Sequence, residues 1–243
     1  MTDAELARAI AEEAGRLALE LRATSGLSGK ALGDEGDRRV NALILERLAA
    51  DRPGDAVLSE ESLDDGSRRG RSRVWIVDPL DGTREYAEGR EDWAVHVALS
   101  VDGRPAAGAV ALPALGRVLS TDAAPSPASP SARARMVVSR TRPPKIATEV
   151  ARAVDAELIA MGSAGAKAMA VVEGRADIYL HAGGQYEWDN CAPVAVARAH
   201  GLHASRINGS DLLYNRPDPL LPDLLICHPA LADRLLELVR DLS

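Results

Sequence analysis

Residues 73–88 leave this chain few folds to choose from. Arg73-Val74-Trp75-Ile76-Val77 is apolar and β-prone, so a strand is predicted there, with Asp78 emerging at its end and a helix starting over 84–88. Pro79 lacks an N–H and fixes φ, so the chain is expected to leave the sheet at that point. The turn can aim Asp78, Asp81 and the Leu80 carbonyl at one spot, while the N–H groups of Gly82 and Thr83 open a helix whose N-terminus favours anions. A cation and a phosphate can share such a corner, although Asp, Pro and Gly are also ordinary turn residues.

Two other segments strengthen the functional reading. Upstream, the short strand predicted over 56–59 ends in the adjacent acids Glu60 and Glu61. Downstream, Tyr186-Glu187-Trp188-Asp189-Asn190-Cys191-Ala192-Pro193 places Asp189 where an N-cap is expected, ahead of an apolar helix over 190–200. Pro193 is acceptable in that first turn, where backbone donors are unpaired anyway.

Composition narrows the partners. With 243 residues and 46% hydrophobic content the chain can bury a sizeable core as one large domain or two smaller ones. Aromatics are only 3% with no Phe, and the net charge is −7, so a nucleic acid polymer is not an expected partner. An acidic protein that handles phosphates needs a bound cation to reverse the local field. The N-terminus is acidic and amphipathic rather than basic and then apolar, and no apolar run approaches the roughly 20 residues of a membrane span. Two cysteines, Cys191 and Cys227, in a chain of this size fit a reduced, cytoplasmic protein, with a single bridge between them left open.

Hydrophobic periodicity predicts helices over 3–22 and 37–50, separated by a polar, glycine-rich loop over 25–36. Strands follow over 93–99 and 106–112, joined at Asp102-Gly103, a strong hairpin signal, and again over 117–120. The proline-rich stretch 123–131 reads as a linker, dividing an N-terminal α+β part (1–124), with antiparallel sheet and most of the acids, from a C-terminal α/β part (132–243) with Asp189 and a cleft. In that second part, strands over 136–139, 156–160, 176–180 and 223–227 alternate with helices over 144–154, 163–173, 190–200 and 229–241, which suggests an α/β layer.

Glu60, Asp78, Asp81 and Asp189 come from three separate segments, each at the edge of a predicted element. Hard oxygen ligands in this number suit Mg²⁺ or Mn²⁺ better than Zn²⁺. A pair of such ions roughly 3.5 to 4 Å apart activates water and clamps both oxygens of a phosphate ester in flight. The three blocks, Glu60-Glu61, Asp78-Pro79-Leu80-Asp81-Gly82-Thr83 and Trp188-Asp189-Asn190-Cys191-Ala192, in this order, closely resemble the inositol monophosphatase superfamily. These are magnesium-dependent, lithium-sensitive phosphatases that include inositol monophosphatase, fructose-1,6-bisphosphatase and the 3′(2′),5′-bisphosphate nucleotidases.

The resemblance implies a layered αβαβα sandwich and two or three Mg²⁺ ions, replaceable by Mn²⁺ and antagonised by Li⁺. It gives Glu60, Asp78 and the Leu80 carbonyl to one metal and Asp78, Asp81 and Asp189 to a second, and pairs Asp37 with Thr83 to activate water, Asp34 and Glu35 being the competing acids. Capping of the second helix is the structural alternative for Asp37. Glu61 is expected to support the site from behind, and Glu187 has no assigned role. The substrate is expected to touch Glu60, Leu80, Asp81, Gly82, Thr83, Ser163, Lys167 and Asp189. Gly162-Ser163-Ala164-Gly165-Ala166-Lys167 matches a cleft-lining segment, and Lys167 there favours a substrate with a second phosphate, such as 3′-phosphoadenosine 5′-phosphate or its sulfated precursor; a solvated helix lysine is the alternative.

The resemblance is therefore nearest the bisphosphate nucleotidases, in sulfate assimilation, with a possible homodimer. Inositol or sugar phosphatase activity, and a non-catalytic phosphate or metal sensor, are the other readings. A phosphoaspartyl phosphatase is disfavoured, because two residues intervene between Asp78 and Asp81 where that chemistry needs one. His200 and His203 have no third clustered ligand and are given no site role, and Cys191 is expected to be a small buried residue rather than a redox switch.

Overall fold

The structure is a computed structural model and describes residues 1–123 and 129–242. Most of the proline-rich linker expected over 123–131 thus lies outside the described residues. The chain opens with helix α1 (Asp3–Thr24), whose first turn is closed reciprocally by Thr2 and Glu5. Helix α2 (Gly29–Asp51) follows, then strands β1 (Ala56–Ser59) and β2 (Arg73–Asp81), a short helix α3 (Thr83–Ala87), and the meander β3 (Ala94–Val101), β4 (Arg104–Leu112) and β5 (Arg117–Ser120). These strands form one sheet in sequence order, β1 parallel to β2 and every other pair antiparallel. Asp102 and Gly103 join β3 to β4 with φ of 49° and 75°, the two positive values that a two-residue hairpin turn demands.

The second sheet contains β6 (Arg135–Ser139), β7 (Glu157–Met161), β8 (Ile178–Ala182), β9 (His203–Ser205) and β10 (Asp223–Cys227) in the order β7-β6-β8-β10-β9. Between them run α4 (Lys145–Ala153), α5 (Ala164–Val172) and α6 (Glu187–Ala199), with α7 (Pro229–Leu242) closing the chain. β6 is parallel to β7 and β8, whereas β10 is antiparallel to β8 and to β9.

Side-chain alternation builds the layers. Trp75, Val77, Val95, Val97 and Leu99 face α1 and α2, while Val74, Ile76, Ala94 and Ala98 face α5 and α6. In the second sheet Val137, Tyr179, Leu224 and Ile226 face α5 and α6 from the other side, and Met136, Val138, Ile178, Leu180, Leu225 and Cys227 face α4 and α7. The result is the expected αβαβα sandwich. Its middle helices are covered on both sides, so they are apolar all round and rich in alanine. A Cβ on Gly108 of β4 would lie 3.2 Å from Ala195 Cβ and 3.4 Å from Ala192 Cα, which shows how closely α6 sits on the sheet. Cys191 and Cys227 belong to different cores and are both free thiols.

Three local expectations are corrected. Residues 29–36 are helix, not loop, so Asp37 lies inside α2 and does not cap it. Gly33 and Gly36 cost that helix up to about 1 kcal/mol each in propensity, but they let it close on α3: a Cβ on Gly36 would lie 3.0 Å from Tyr86 Cε1. Burial of Tyr86 alone returns roughly 1.5–3 kcal/mol. The strand does not end at Pro79 either; pairing with β3 is interrupted between Asp78 and Asp81 and resumes at Asp81 with Ala94. The missing N–H falls in that interruption, where no ladder bond is lost. Finally, Asp189 is the third residue of α6, and its carboxylate accepts the Tyr186 N–H at 2.6 Å from within the first turn.

Candidate active site

The irregularity in β2 brings the acids together. Asp78 is buried at 1% exposure and accepts the Leu80 N–H at 3.1 Å, which folds the Asp78-Pro79-Leu80 step over its own carboxylate. Asp78, Asp81 and Asp189 each present a ligand-type oxygen within 4.8 Å of the others, so these three could hold a metal ion. Burial first, and then Glu60, Asp81 and Asp189, push the Asp78 carboxyl well above the ordinary aspartate range. Burial and Asp81 push Asp189 up to about 7. Glu60 is an exposed residue whose carboxyl sits beside Asp78; desolvation there raises it, against a hydrogen bond with Asp78. An all-oxygen donor set whose members repel one another in this way fits a hard divalent cation.

Asp81 behaves in the opposite way. Its oxygens accept the N–H groups of Ala164 at 3.1 Å and Gly165 at 2.6 Å, at the positive end of α5. His96 Nε2 lies 3.2 Å from Asp81 Oδ2, off the line of a good hydrogen bond, and its Nδ1 donates to the Trp188 carbonyl at 3.0 Å. Burial opposes a charge on Asp81, but His96, the Gly165 amide and Lys167 outweigh it and hold the carboxyl at about 2. His96 thus ties the end of β2 to the first turn of α6. Its alternation with Ala94 and Ala98 on β3 was readable; nothing in the sequence marked its partner.

Asp37 and Thr83 meet although 46 residues separate them: Thr83 Oγ1 lies 3.2 Å from Asp37 Oδ2 and 3.1 Å from the Leu80 carbonyl. One hydroxyl proton cannot serve both acceptors fully, so the bond it makes follows the charge on Asp37. Burial, Glu61 and Glu60 push Asp37 up to about 8. Asp34, by contrast, pairs with Lys30, and Glu35 with Arg38, both on the outside of α2. Asn41 was missed by sequence reasoning. It accepts the Ser59 hydroxyl at 2.8 Å and donates to Ser62 Oγ at 3.1 Å, fixing the turn that carries Glu60 and Glu61.

These groups open on a cleft of about 360 Å³ between the two sheets' ends. Asp81 to Glu85 and Asp189 line one side; Ser139 to Arg142, Gly162 to Ala164, Lys167, Tyr179, His181, Gly184 and Gln185 line the other. A larger hollow beside α7, about 750 Å³, contains none of the acids. Ser163 accepts the Ala166 N–H at 2.8 Å and caps α5. Lys167 is not solvated: it is 4% exposed, its ammonium donates to the carbonyls of Gly162 and Ser163, and it stands 5.4 Å from the Tyr179 ring centre. Arg140, which the sequence did not single out, crosses to Glu85 and Glu88 at 2.7 Å each and clasps the two cleft walls together.

The remaining expectations fall away from the chemistry. Glu187 is fully buried and accepts the N–H groups of Asn215 and Arg216, anchoring that loop to α6. His200 bonds the Val196 carbonyl and His203 the Ser205 hydroxyl, neither near the acids' cleft lining. Burial holds the Cys191 thiol well above its ordinary range, so it carries little thiolate.

Comparison with known proteins follows the same lines. The sequence profile of the inositol monophosphatase family matches residues 3–243. A 3′-phosphoadenosine 5′-phosphate phosphatase of Mycobacterium tuberculosis is 52% identical over 240 residues, covering 94% of this chain and 90% of that one. Among solved structures, a CysQ from Bacteroides thetaiotaomicron superposes with a TM-score of 0.77 at 26% identity, covering 93% of this chain and 97% of the other. A staphylococcal inositol monophosphatase superposes with a TM-score of 0.81 at 22% identity, covering 100% and 96%, a likeness of fold.

Proposed function

Because this chain belongs to the inositol monophosphatase family, we propose that it is a Mg²⁺-dependent phosphatase removing the 3′-phosphate from 3′-phosphoadenosine 5′-phosphate, with the sulfated precursor as a second substrate. The observation that carries the chemistry is the convergence of Asp78, Asp81 and Asp189 at the mouth of a cleft, with the Asp37–Thr83 pair beside them. The substrate rests on the 52% identity to the mycobacterial phosphatase. Glu60, Asp78 and the Leu80 carbonyl would hold one Mg²⁺ and Asp78, Asp81 and Asp189 another, with Mn²⁺ able to replace it. Bound there, the ions supply positive charge to the ester oxygens and acidify water.

The chain's own groups do the rest. Thr83 takes a proton from the attacking water as its own hydroxyl proton passes to Asp37, which must first ionise from a metal-free value of about 8. Asp81, kept ionised by His96 and the start of α5, holds its place without needing a proton. Gly82 and Thr83 line the cleft, and their backbone N–H groups would orient the phosphate being cleaved. Residues 1–124 contribute most of the ligands, and 132–243 contribute Asp189 and the opposite wall with Ser163 and Lys167. Li⁺ inhibition, a cytoplasmic location and a homodimer belong to the same proposal. Among the described residues no helix is long and apolar enough to cross a membrane.

Phosphate release from 3′-phosphoadenosine 5′-phosphate, followed with and without Mg²⁺ and in millimolar Li⁺, tests the reading. Release that needs Mg²⁺ and is slowed by Li⁺ supports it; release unaffected by chelation contradicts it.

A further inference from the structure

The second sheet reverses its winding at β6. From β6 the chain runs through α4 to β7 on one side, and from β7 it returns through α5 to β8 on the other. α4 packs in the outer core with Met136 and Val138, and α5 in the inner core with Val137 and Tyr179. The connection leaving the carboxyl end of β6 therefore goes to one face of the sheet and the connection leaving its neighbour β7 goes to the other, and the crevice between two such connections is where open α/β sheets receive ligands. In this protein that crevice is the cleft wall formed by Ser139 to Arg142.

Most donors near this wall are already occupied. The first amides of α5 go to Asp81 and Ser163, the Lys167 ammonium to two carbonyls, and the Arg140 guanidinium to Glu85 and Glu88. Among the described residues, two cleft-lining guanidinium groups have no hydrogen bond or ion pair, those of Arg84 and Arg142. Arg84 also borders the groove on the far side of α3, beside Asp34 and Glu88, whose charges repel a phosphate. Arg142 stands on a short turn held by its own N–H, which donates to Ser139 Oγ at 3.2 Å, and is followed by Pro143 and Pro144.

We propose that Arg142 reads the second phosphate of the substrate, making it the residue that selects bisphosphorylated over monophosphorylated esters. A guanidinium offers a planar fork of donors that matches two phosphate oxygens, and an unpaired one on a fixed turn loses little on engaging them. This rests on the phosphatase reading above, and it assigns to Arg142 the contact that the sequence pointed to in Lys167.

The test compares 3′-phosphoadenosine 5′-phosphate with adenosine 3′-phosphate, which lacks the second phosphate, at fixed Mg²⁺. R142A should lower kcat/KM for the bisphosphate by about tenfold to a hundredfold, mostly through KM, while changing the monophosphate by less than about twofold. R142K should restore part of the loss, because it returns the charge without the fork. A wild-type preference that R142A leaves intact, an equal loss on both esters, or a preference abolished by R84A instead overturns the assignment alone. A wild-type enzyme with no preference for the bisphosphate overturns the substrate reading together with it.

Discussion

Asp78 occupies a position no carboxylate would be given for stability alone. It is buried, faces Glu60, Asp81 and Asp189, and is held well above its ordinary pKa for those two reasons in that order. An uncharged amide of the same shape should fold at least as well and lose the cation: Asp78→Asn is expected to cut phosphate release by more than about a thousandfold and to abolish Mg²⁺ binding in calorimetry. Retained Mg²⁺ affinity in that variant would place the ions elsewhere. Asp37→Asn removes the proton acceptor of Thr83 but leaves the cluster intact, so kcat should fall about a hundredfold to ten-thousandfold with KM little changed. Asp78, Asp81 and Asp189 were legible from the sequence because each stands in a short block whose residue types the chemistry requires. His96 and Asn41 were not, since a lone histidine in a strand and an asparagine in a helix acquire meaning only from partners up to 92 residues away.

The contact between α2 and α3 sets the geometry of the Asp37–Thr83 pair. Gly33 faces Thr83 so closely that a Cβ there would lie 2.7 Å from Thr83 Cγ2. Gly33→Ala should therefore displace Thr83 and depress kcat more than it lowers thermal stability. Thr83→Ser keeps the hydroxyl and deletes the obstructing methyl, so the double variant should recover activity relative to Gly33→Ala alone; additive losses in a kcat measurement would show that the contact does not govern the pair. On α5, a Cβ at Gly165 would collide with His96 and lie 2.9 Å from Ala94 Cβ. Gly165→Ala should accordingly cost about 1–3 kcal/mol as overpacking, measurable by urea unfolding. The start of α2 was misread as loop for the reason that makes it useful here: glycine lowers helix propensity locally, and only the neighbour it admits, α3, reveals why the helix forms. Strand β9 was missed because three residues carry too little periodicity to stand out from the loop around them.

Taken over the entire chain, the acids make stability depend on pH in a definite direction. Asp37 at about 8 and Asp189 at about 7 hold protons more tightly folded than unfolded, where aspartate titrates near 3.8, so the native state carries the extra protons between those values. Stability of the metal-free protein therefore falls as pH rises from about 4 to about 8. Asp81, at about 2, contributes oppositely, but its contribution is complete above about 4 and lost only below it. Chelator-treated protein should melt at a lower temperature at pH 8 than at pH 5, and added Mg²⁺ should raise the melting temperature more at pH 8, where the ligands release fewer protons on binding it. The layered order of helices and sheets follows from alternation along the strands and was legible in outline. The antiparallel entry of β10 was not, because a strand's direction is set by a long loop, 206–222, with no pattern of its own. The first measurement to make is kcat/KM for Mg²⁺-dependent phosphate release from 3′-phosphoadenosine 5′-phosphate, inositol 1-phosphate and fructose 1,6-bisphosphate side by side. A preference of about tenfold or more for the nucleotide, roughly 1.4 kcal/mol of transition-state discrimination, is the predicted result; a preference for inositol 1-phosphate or the sugar would contradict the proposed substrate while leaving the acidic site its chemistry.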